Sequence, residues 1–241
     1  MTNMKTILKH ELTNWKLWEI SWLIFCILSI TLLSLYWNDT LIGMISAITG
    51  ITYVVCIGKG NISAYFFGIV NCVLYSLISF EATLYGEVLL NAGYYLPMMF
   101  VGIFLWRKNI DHSTNEIYKR RMSWHNRMIG MLVILALSYL LGLCLQSLGD
   151  AMPFVDAFTT VASIIAMIAT VKMYSEQWWI WLFVNMFSVY MWYCDFQAGS
   201  DNIATLVMWG IYLINAIIML FKWESESKRY ELSFTRTTTK I

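Results

Sequence analysis

One segment of this chain is apolar enough to cross a bilayer and yet carries an amide near its middle: Trp178-Trp179-Ile180-Trp181-Leu182-Phe183-Val184-Asn185-Met186-Phe187-Ser188-Val189-Tyr190-Met191-Trp192. Within it, successive spacings of 3, 4, 3 and 4 separate Trp178, Trp181, Asn185, Ser188 and Trp192. On a helix of 3.6 residues per turn this spacing places all five side chains on one face. The segment therefore predicts a membrane helix with an aromatic stripe and a hydrogen-bonding group at mid-depth, which suits a flat, polar, ring-containing solute.

The composition outside this segment also predicts an integral membrane protein. The chain has 241 residues, of which 59% are hydrophobic and only 13% charged, against about 25% charged in soluble domains. Its apolar runs are long and unbroken, whereas the strands of a membrane barrel would be alternating segments of ~10 residues. We therefore expect an all-α membrane protein. The charges lie at the ends of the apolar runs, so the net charge of +1 is no sign of nucleic-acid binding, and we expect no nucleic-acid partner.

Eight apolar runs approach the ~20 residues that a helix needs to cross a bilayer. They span Trp18–Trp37, Thr40–Ile57, Asn61–Phe80, Tyr85–Leu105, Met128–Leu148, Pro153–Val171, Gln177–Tyr193 and Asn202–Phe221. With the N-terminus in the cytoplasm, all 16 Lys and Arg residues fall in cytoplasmic segments, as the positive-inside rule requires. The outer connections then carry only acidic charge, at Asp39, Glu81, Glu87, Asp150, Asp195 and Asp201. An even number of spans places both termini in the cytoplasm.

Spans two to four resemble spans six to eight. Lys59 and Lys172 close the second and sixth spans, and Asn71 and Asn185 lie near the middle of the third and seventh. In the fourth and eighth spans Tyr95-Leu96 matches Tyr212-Leu213. Because one span lies between the two triplets, both enter the membrane in the same direction. The pattern predicts two parallel three-helix repeats joined by one linker helix, a 3+1+3 arrangement, with one extra N-terminal helix.

This arrangement divides the chain into five parts. Residues 1–39 form the cytoplasmic N-terminus and extra helix, 40–106 the first repeat, 107–149 a basic cytoplasmic loop and the linker helix, 150–223 the second repeat, and 224–241 a cytoplasmic tail. Parallel repeats related by an axis along the membrane normal are a known transporter plan, with the solute site near mid-membrane between the repeats.

The candidate site residues are polar or aromatic groups inside the spans. An amide is costly to leave in lipid, so Asn71 and Asn185 are expected to face protein or a wet cavity. Trp181, Ser188 and Trp192 share the face of Asn185, as does Trp178. Further candidates in the other spans are Tyr75, Asn91, Thr159, Tyr212 and Asn215. Each has a structural alternative: asparagines join helices, Ser and Thr bond to their own helix, and Trp178 suits an interfacial aromatic belt.

Several chemical features are absent from the sequence. No Lys or Arg lies at the centre of a span, and the nearest acids, Glu87 and Asp156, lie close to the outer ends. Ion-coupled carriers usually hold an ionisable group at mid-depth, so we expect uncoupled, facilitated transport by alternating access. The three histidines show no metal-ligand spacing, and no nucleotide or nucleophile motif occurs. We therefore expect a protein that is not an enzyme and holds neither metal nor cofactor.

The motif Trp178-x-x-Trp181-x-x-x-Asn185, ending in Trp192 within such an architecture, resembles the PnuC family, together with Gly68-x-x-Asn71. The resemblance covers about Leu41 to Trp223. It implies a SWEET-like fold, a single central site, homotrimers in the bacterial inner membrane, and uptake of nicotinamide riboside that is trapped by phosphorylation inside. By this likeness Trp181, Asn185 and Trp192 contact the substrate, with Asn71 a further position.

The chemistry of that solute fits the residues. Its pyridinium ring is a cation that indole faces attract, by about 2 kcal/mol or more where water is excluded, and asparagine pairs with a carboxamide or with hydroxyls. A phosphate would need Lys or Arg, which favours the nucleoside over the nucleotide. Two alternatives stay open: a carrier of a sugar or another vitamin on the same fold, and a membrane scaffold or channel subunit that transports nothing.

Overall fold

The computed structural model describes residues 15–38, 40–81, 88–111, 116–199 and 203–238. Every regular element in these ranges is helical, comprising eight α-helices and one π-helical turn. They are α1 (Leu17–Tyr36), α2 (Leu41–Lys59), α3 (Ala64–Glu81), the π-helical turn Leu89–Tyr95 that continues into α4 (Leu96–Arg107), α5 (Trp124–Ser147), α6 (Pro153–Val171), α7 (Gln177–Gln197) and α8 (Ile203–Thr238). The prediction of an all-helical chain is confirmed for the described residues.

Six helical segments among the described residues are long and apolar enough to cross a membrane. They are Leu17–Tyr36, Leu41–Lys59, Leu89–Arg107, Trp124–Ser147, Pro153–Val171 and Leu206–Tyr230. Ala64–Phe80 is apolar but shorter. Helix α7 has 21 residues, among which are Gln177, Asn185, Ser188 and Asp195, and it is not one of these six segments.

The chain divides into two compact units, Met1–Tyr118 (unit 1) and Lys119–Ile241 (unit 2). In unit 1, α2 packs between α1 and α3, and α3 also packs against α4 and the π-helical turn. Lys59, at the end of α2, lies 2.8 Å from a carboxylate oxygen of Glu19 and 2.8 Å from one of Glu116. Both Lys59 and Glu19 are buried. This buried ion-pair triad ties α1 and the loop after α4 to the end of α2.

Unit 2 is a sequence of helix contacts in which α5 packs on α6, α6 on α7, and α7 on α8. Ser123 caps α5 by accepting a hydrogen bond from the Asn126 N–H at 3.3 Å. Glu176 fixes the start of α7: its carboxylate lies 2.6 Å from the Arg127 guanidinium and accepts from the Met122 N–H at 3.0 Å. Lys119 pairs with Glu226, so α8 is anchored beyond its apolar part.

The connection between α2 and α3 closely matches the connection between α6 and α7. Gly60 and Met173 occupy corresponding positions, and both have left-handed backbone conformations, with φ of 89° and 62°. When Gly60 is aligned with Met173, six backbone hydrogen bonds of one connection have a counterpart in the other. The first is donated by the Gly60 N–H to the Ile57 carbonyl oxygen, and by the Met173 N–H to the Thr170 carbonyl oxygen. An aromatic pair follows in each unit, Tyr65 with Trp106 and Trp178 with Trp223.

This register corrects the predicted alignment of the two asparagines. Matching Gly60 to Met173 pairs Asn185 with Cys72 and Asn71 with Val184, whereas the sequence comparison placed Asn71 opposite Asn185. One residue of slip turns a side chain by about 100° around a helix. Asn71 and Asn185 therefore occupy different faces of their helices, and the symmetry argument for a shared role of the two amides is wrong.

The predicted spans and the observed helices differ mainly at their ends. Helix α8 continues to Thr238, well past the predicted end at Phe221, because hydropathy marks where the apolar surface stops and not where the helix stops. The predicted starts Tyr85 and Asn202 lie outside the described residues. So do the predicted outer acids Asp39, Glu87 and Asp201, positions 1–14 of the predicted N-terminal part and positions 239–241 of the predicted tail.

Candidate functional site

The five residues of the predicted stripe lie on the inward side of α7. Trp178, Asn185 and Ser188 are buried, with 2%, 5% and 5% of their surfaces exposed, and Trp181 and Trp192 are half-buried. The opposite side of the helix is exposed and apolar, with Trp179, Phe183, Met186, Phe187 and Tyr190. Helix α7 therefore has an exposed apolar face and an opposite, inward face that carries indole rings, one amide and one hydroxyl.

Asn185 and Ser188 differ from most buried polar groups in their lack of hydrogen-bond partners. Within the described part of the chain, neither the Asn185 amide nor the Ser188 hydroxyl has a partner, and neither is fully sealed from solvent. A polar group that is sealed from water without a partner costs about 1–3 kcal/mol. Asn185 and Ser188 avoid part of this cost because solvent still reaches them. Two of them one turn apart on one face form a polar surface that a ligand or water must satisfy.

Trp181 is held by both a hydrogen bond and an apolar cluster. Its indole Nε1–H donates to Thr170 Oγ1 on α6 at 3.3 Å. Its ring packs at the edge of a cluster built on Ile134, Ala162 and Val184 from α5, α6 and α7. Trp209 from α8 packs on the same cluster. The indole one turn before Asn185 is thus fixed in position by contacts with its own unit.

Trp178 has a structural role that its place in the stripe did not reveal. Its ring meets the ring of Trp223 edge to face, with centroids 6.0 Å apart and an interplanar angle of 68°. The Lys119 ammonium lies 5.5 Å from the Trp223 ring centroid. Trp178 therefore belongs to the packed end of unit 2. Trp192, at the other end of the stripe, is half-buried two turns from Asn185.

Asn71 joins two helices, which is the structural alternative to substrate contact for an asparagine in the middle of a span. Its Nδ2 group donates to the Ser46 carbonyl oxygen at 2.8 Å and to the Ser46 hydroxyl at 3.3 Å, joining α3 to α2. Asn91 is buried in the π-helical turn, where its backbone carbonyl accepts from the Leu96 N–H. Tyr75 lies on α3 with 38% of its surface exposed.

The candidates on α6 and α8 are packed within unit 2. The Thr159 hydroxyl donates to the Asp156 carbonyl of its own helix at 2.9 Å. Tyr212 meets Trp209 edge to face with centroids 5.7 Å apart, and Asn215 is fully buried. Thr170 is the residue of these helices that sequence reasoning missed, because nothing in an apolar run marks which hydroxyl will meet an indole N–H.

Comparisons with known proteins place the chain in a family. The model of the family described as nicotinamide mononucleotide transporter matches residues 40–225. The chain belongs to this family. Membership makes it a membrane transporter and not an enzyme, which confirms both interpretations of the sequence.

Individual members of this transporter family are similar over almost the whole chain. The nicotinamide riboside transporter PnuC of Neisseria mucosa is 31% identical over 228 residues, which cover 92% of this chain and 87% of the relative. That of Haemophilus influenzae is 29% identical over 225 residues, covering 92% and 96%. A crystal structure of the vitamin B3 transporter PnuC matches with a TM-score of 0.81 at 30% identity, over 94% of this chain and 99% of the other. The resemblance inferred from the Trp and Asn motif is thereby confirmed.

The charge around the α7 stripe limits what this transporter can bind. No Lys or Arg occurs in the sequences of α6 and α7, or in α8 before Lys222. In the described residues no cluster of three or more potential metal-ligating side chains is present. The stripe therefore offers aromatic faces, one amide and one hydroxyl, which suit an uncharged or cationic ring with hydrogen-bonding substituents and do not suit a phosphate.

Proposed function

We propose that this transporter carries nicotinamide riboside by facilitated diffusion, with its substrate on the α7 stripe. One observation supports this most: the buried Asn185 amide and Ser188 hydroxyl have no partner within the described residues and lie on the same helix face as the fixed indole of Trp181. The nicotinamide ring would stack on indole, where a cation gains about 2 kcal/mol or more if water is excluded. Its carboxamide or ribose hydroxyls would complete the hydrogen bonds of Asn185 and Ser188.

The nucleoside is favoured over the nucleotide named in the family description. A phosphate carries up to two negative charges, and burying it without Lys or Arg would cost several kcal/mol. The two relatives compared above are described as transporters of the riboside. Phosphorylation in the cytoplasm would therefore remove the solute from the reach of the site and make net uptake possible without a coupling ion.

The proposed architecture has eight transmembrane helices, with α3 and α7 added to the six long apolar segments. The matching backbone bonds of the α2–α3 and α6–α7 connections support two parallel repeats. We propose the 3+1+3 division at residues 40–106, 107–149 and 150–223, with α1 in front and a tail from 224. Both termini lie in the cytoplasm of a bacterium and the spans in its inner membrane. Alternating access is the proposed mechanism.

Homotrimers complete this proposal. The outer side of α1 is apolar and exposed, with Leu28, Leu32 and Leu35 at 56%, 65% and 62% exposure. Such a surface is suited to lipid tails and to neighbouring copies. The mass of the protein in detergent, measured by light scattering with the detergent contribution subtracted, should correspond to three chains. A mass of one chain under conditions that preserve riboside binding would remove the trimer from the proposal.

The predicted site residues have three different proposed roles. Trp181, Asn185, Ser188 and Trp192 form the substrate surface. Tyr212, Asn215 and Thr159 are proposed as the surrounding wall on α8 and α6. For Asn71 and Trp178, the contacts described above support a role in holding helices. For all four remaining residues, Asn71, Asn91, Tyr75 and Trp178, contact with the substrate stays a prediction.

Binding to the purified protein tests this proposal. Titration with nicotinamide riboside should quench tryptophan fluorescence, while nicotinamide mononucleotide and ribose should give no saturable quenching at the same concentrations. Met186→Ala, on the exposed side of α7 next to Asn185, is the matched control and should bind like the wild type. Saturable binding of a sugar without binding of the riboside would support the alternative carrier and overturn the proposal.

A further inference from the structure

We infer that Thr170 is a positioning residue for substrate binding, acting by fixing the plane of the Trp181 indole. The inference rests on the proposed function, because it takes Trp181 to be a substrate contact. Thr170 itself is almost completely buried, at 1% exposure. It lies near the end of α6, on the helix before the one that carries Trp181, and it is not a candidate for touching the solute.

The geometry gives the Thr170 hydroxyl a defined direction. Its hydrogen is donated to the Ala166 carbonyl oxygen one turn earlier, at 2.9 Å. The hydroxyl rotor is therefore set, and a lone pair of Oγ1 is directed at the donor that meets it, Trp181 Nε1–H, at 3.3 Å. The chain of bonds runs from indole to hydroxyl to backbone, so the α6 backbone determines where the indole N–H points.

Unit 1 shows that the Thr170–Trp181 hydrogen bond is not needed to form the helix connection that both units have. In the register that matches Gly60 to Met173, Thr170 corresponds to Ile57 and Trp181 to Gly68. A Cβ atom on Gly68 would lie 2.6 Å from the Met99 sulfur and 2.8 Å from the Tyr53 ring. At the position where unit 2 places an indole, unit 1 has no room even for a methyl group. The connection folds in both units, so the hydroxyl–indole pair is not needed to form it.

A fixed indole plane matters for a stacked ligand. Stacking and cation–π attraction require the solute ring to meet the face of the indole, and a half-buried indole that can pivot loses this preorganisation. Immobilising one side chain on binding typically weakens affinity by about 3- to 10-fold. We expect loss of the Thr170 hydroxyl to have an effect of this size on nicotinamide riboside affinity.

The test is a set of threonine variants measured in two backgrounds. Thr170→Val keeps the shape of the side chain and removes the hydroxyl, and Thr170→Ser keeps the hydroxyl. Thr52→Val is the matched control: Thr52 is also buried and also bonds back to its own helix, to the Ile48 carbonyl at 2.7 Å. Each is titrated with nicotinamide riboside in the wild-type and Trp181→Phe backgrounds, with Tm measured in parallel.

We expect Thr170→Val to weaken binding about 3- to 10-fold, and Thr170→Ser and Thr52→Val to stay within about 2-fold of wild type. In the Trp181→Phe background, which has no indole N–H, Thr170→Val should cause no further loss. If Thr170→Val binds normally while Trp181→Phe is weakened, or if its loss persists without the indole, the inference is overturned and the proposed site survives. If Trp181→Phe and Asn185→Ala both bind like wild type, the proposed site itself is wrong.

Discussion

At the scale of single residues, two asparagines in the same chain show that an amide in a membrane helix can have different roles. Asn71 uses its donors on Ser46 and joins two helices. Asn185 is buried but has no partner in the described part of the chain. The difference follows from the one-residue slip between them, which turns one amide toward a neighbouring helix and the other toward the indole-lined face.

Replacing Asn185 should therefore affect the substrate more than the fold. Asn185→Ala removes a donor and acceptor for which the described residues offer no partner, so its Tm should change little. A lost hydrogen bond to the substrate corresponds to about 1–2 kcal/mol, or roughly 5- to 30-fold in affinity. Fluorescence titration with nicotinamide riboside and a thermal melt in detergent measure the two effects.

Asn71→Ala should show the reverse pattern. The interhelical bond to Ser46 is worth about 0.6–2 kcal/mol in a membrane protein, so Tm should fall by a few degrees. Affinity for nicotinamide riboside should stay within about 2-fold of wild type, which is well inside the effect expected of a substrate contact. A large loss of affinity with an unchanged Tm would contradict this prediction and indicate that Asn71 contacts the substrate.

At the scale of helices, buried charge holds the end of α2 in place. Lys59 lies between Glu19 of α1 and Glu116 of the following loop, and its counterpart in unit 2, Lys172, is exposed. Lys59→Met would leave the buried Glu19 carboxylate without its cation, and breaking such a pair typically costs about 3–5 kcal/mol. We expect a strong fall in Tm, or loss of folded protein.

Lys172→Met is the matched control for this prediction. It removes the same charge from the residue just before Met173, as Lys59 lies just before Gly60, but here the side chain is exposed, so stability should change by about 0.5 kcal/mol or less. The two melting curves are compared in one detergent. Equal melting temperatures for both variants would show that the triad does not hold α1 against α2.

Close helix packing makes a second prediction at this scale. A Cβ atom on Gly102 of α4 would overlap the Tyr65 ring, whereas one on Gly130 of α5 would meet nothing within 4 Å. Gly102→Ala should therefore destabilise the protein by about 1–3 kcal/mol through overpacking. Gly130→Ala should be neutral or slightly stabilising, because alanine favours the helix. Thermal melts of the two variants measure the difference.

The helices themselves could be predicted from the sequence because each apolar run is long and unbroken. Helix α6 has the predicted bounds Pro153–Val171, and the α7 face was visible in the spacing of Trp178, Trp181 and Asn185. These features are local, so neighbouring residues in the chain are enough to reveal them. The prediction of helices and of a membrane transporter needed no knowledge of which helix touches which.

The features that the sequence did not reveal depend on pairs of residues that only folding brings together. Lys59 meets Glu19 and Glu116, and Trp181 meets Thr170, through packing that no local pattern encodes. The alignment of Asn71 with Asn185 failed for a related reason. The register in which the two connections match is visible in the backbone geometry at Gly60 and Met173, which the side-chain identities do not report.

At the scale of the whole molecule, the account requires transport without a coupling ion. The acid of α6 and α7 nearest the membrane interior is Asp156, in the first turn of α6, and neither helix contains Lys or Arg. We expect the initial rate of nicotinamide riboside uptake into liposomes to be the same, within about 2-fold, with and without an imposed proton or sodium gradient. Uptake that concentrates the riboside in step with either gradient would contradict this.

The most direct measurement is exchange of labelled nicotinamide riboside across liposomes that contain the purified protein and are preloaded with unlabelled riboside. We predict rapid entry of label that excess external riboside abolishes and that nicotinamide mononucleotide leaves unchanged. Asn185→Ala should slow the exchange, and Met186→Ala should not. Absence of exchange by a correctly folded wild-type protein, or equal competition by the mononucleotide, would contradict the account.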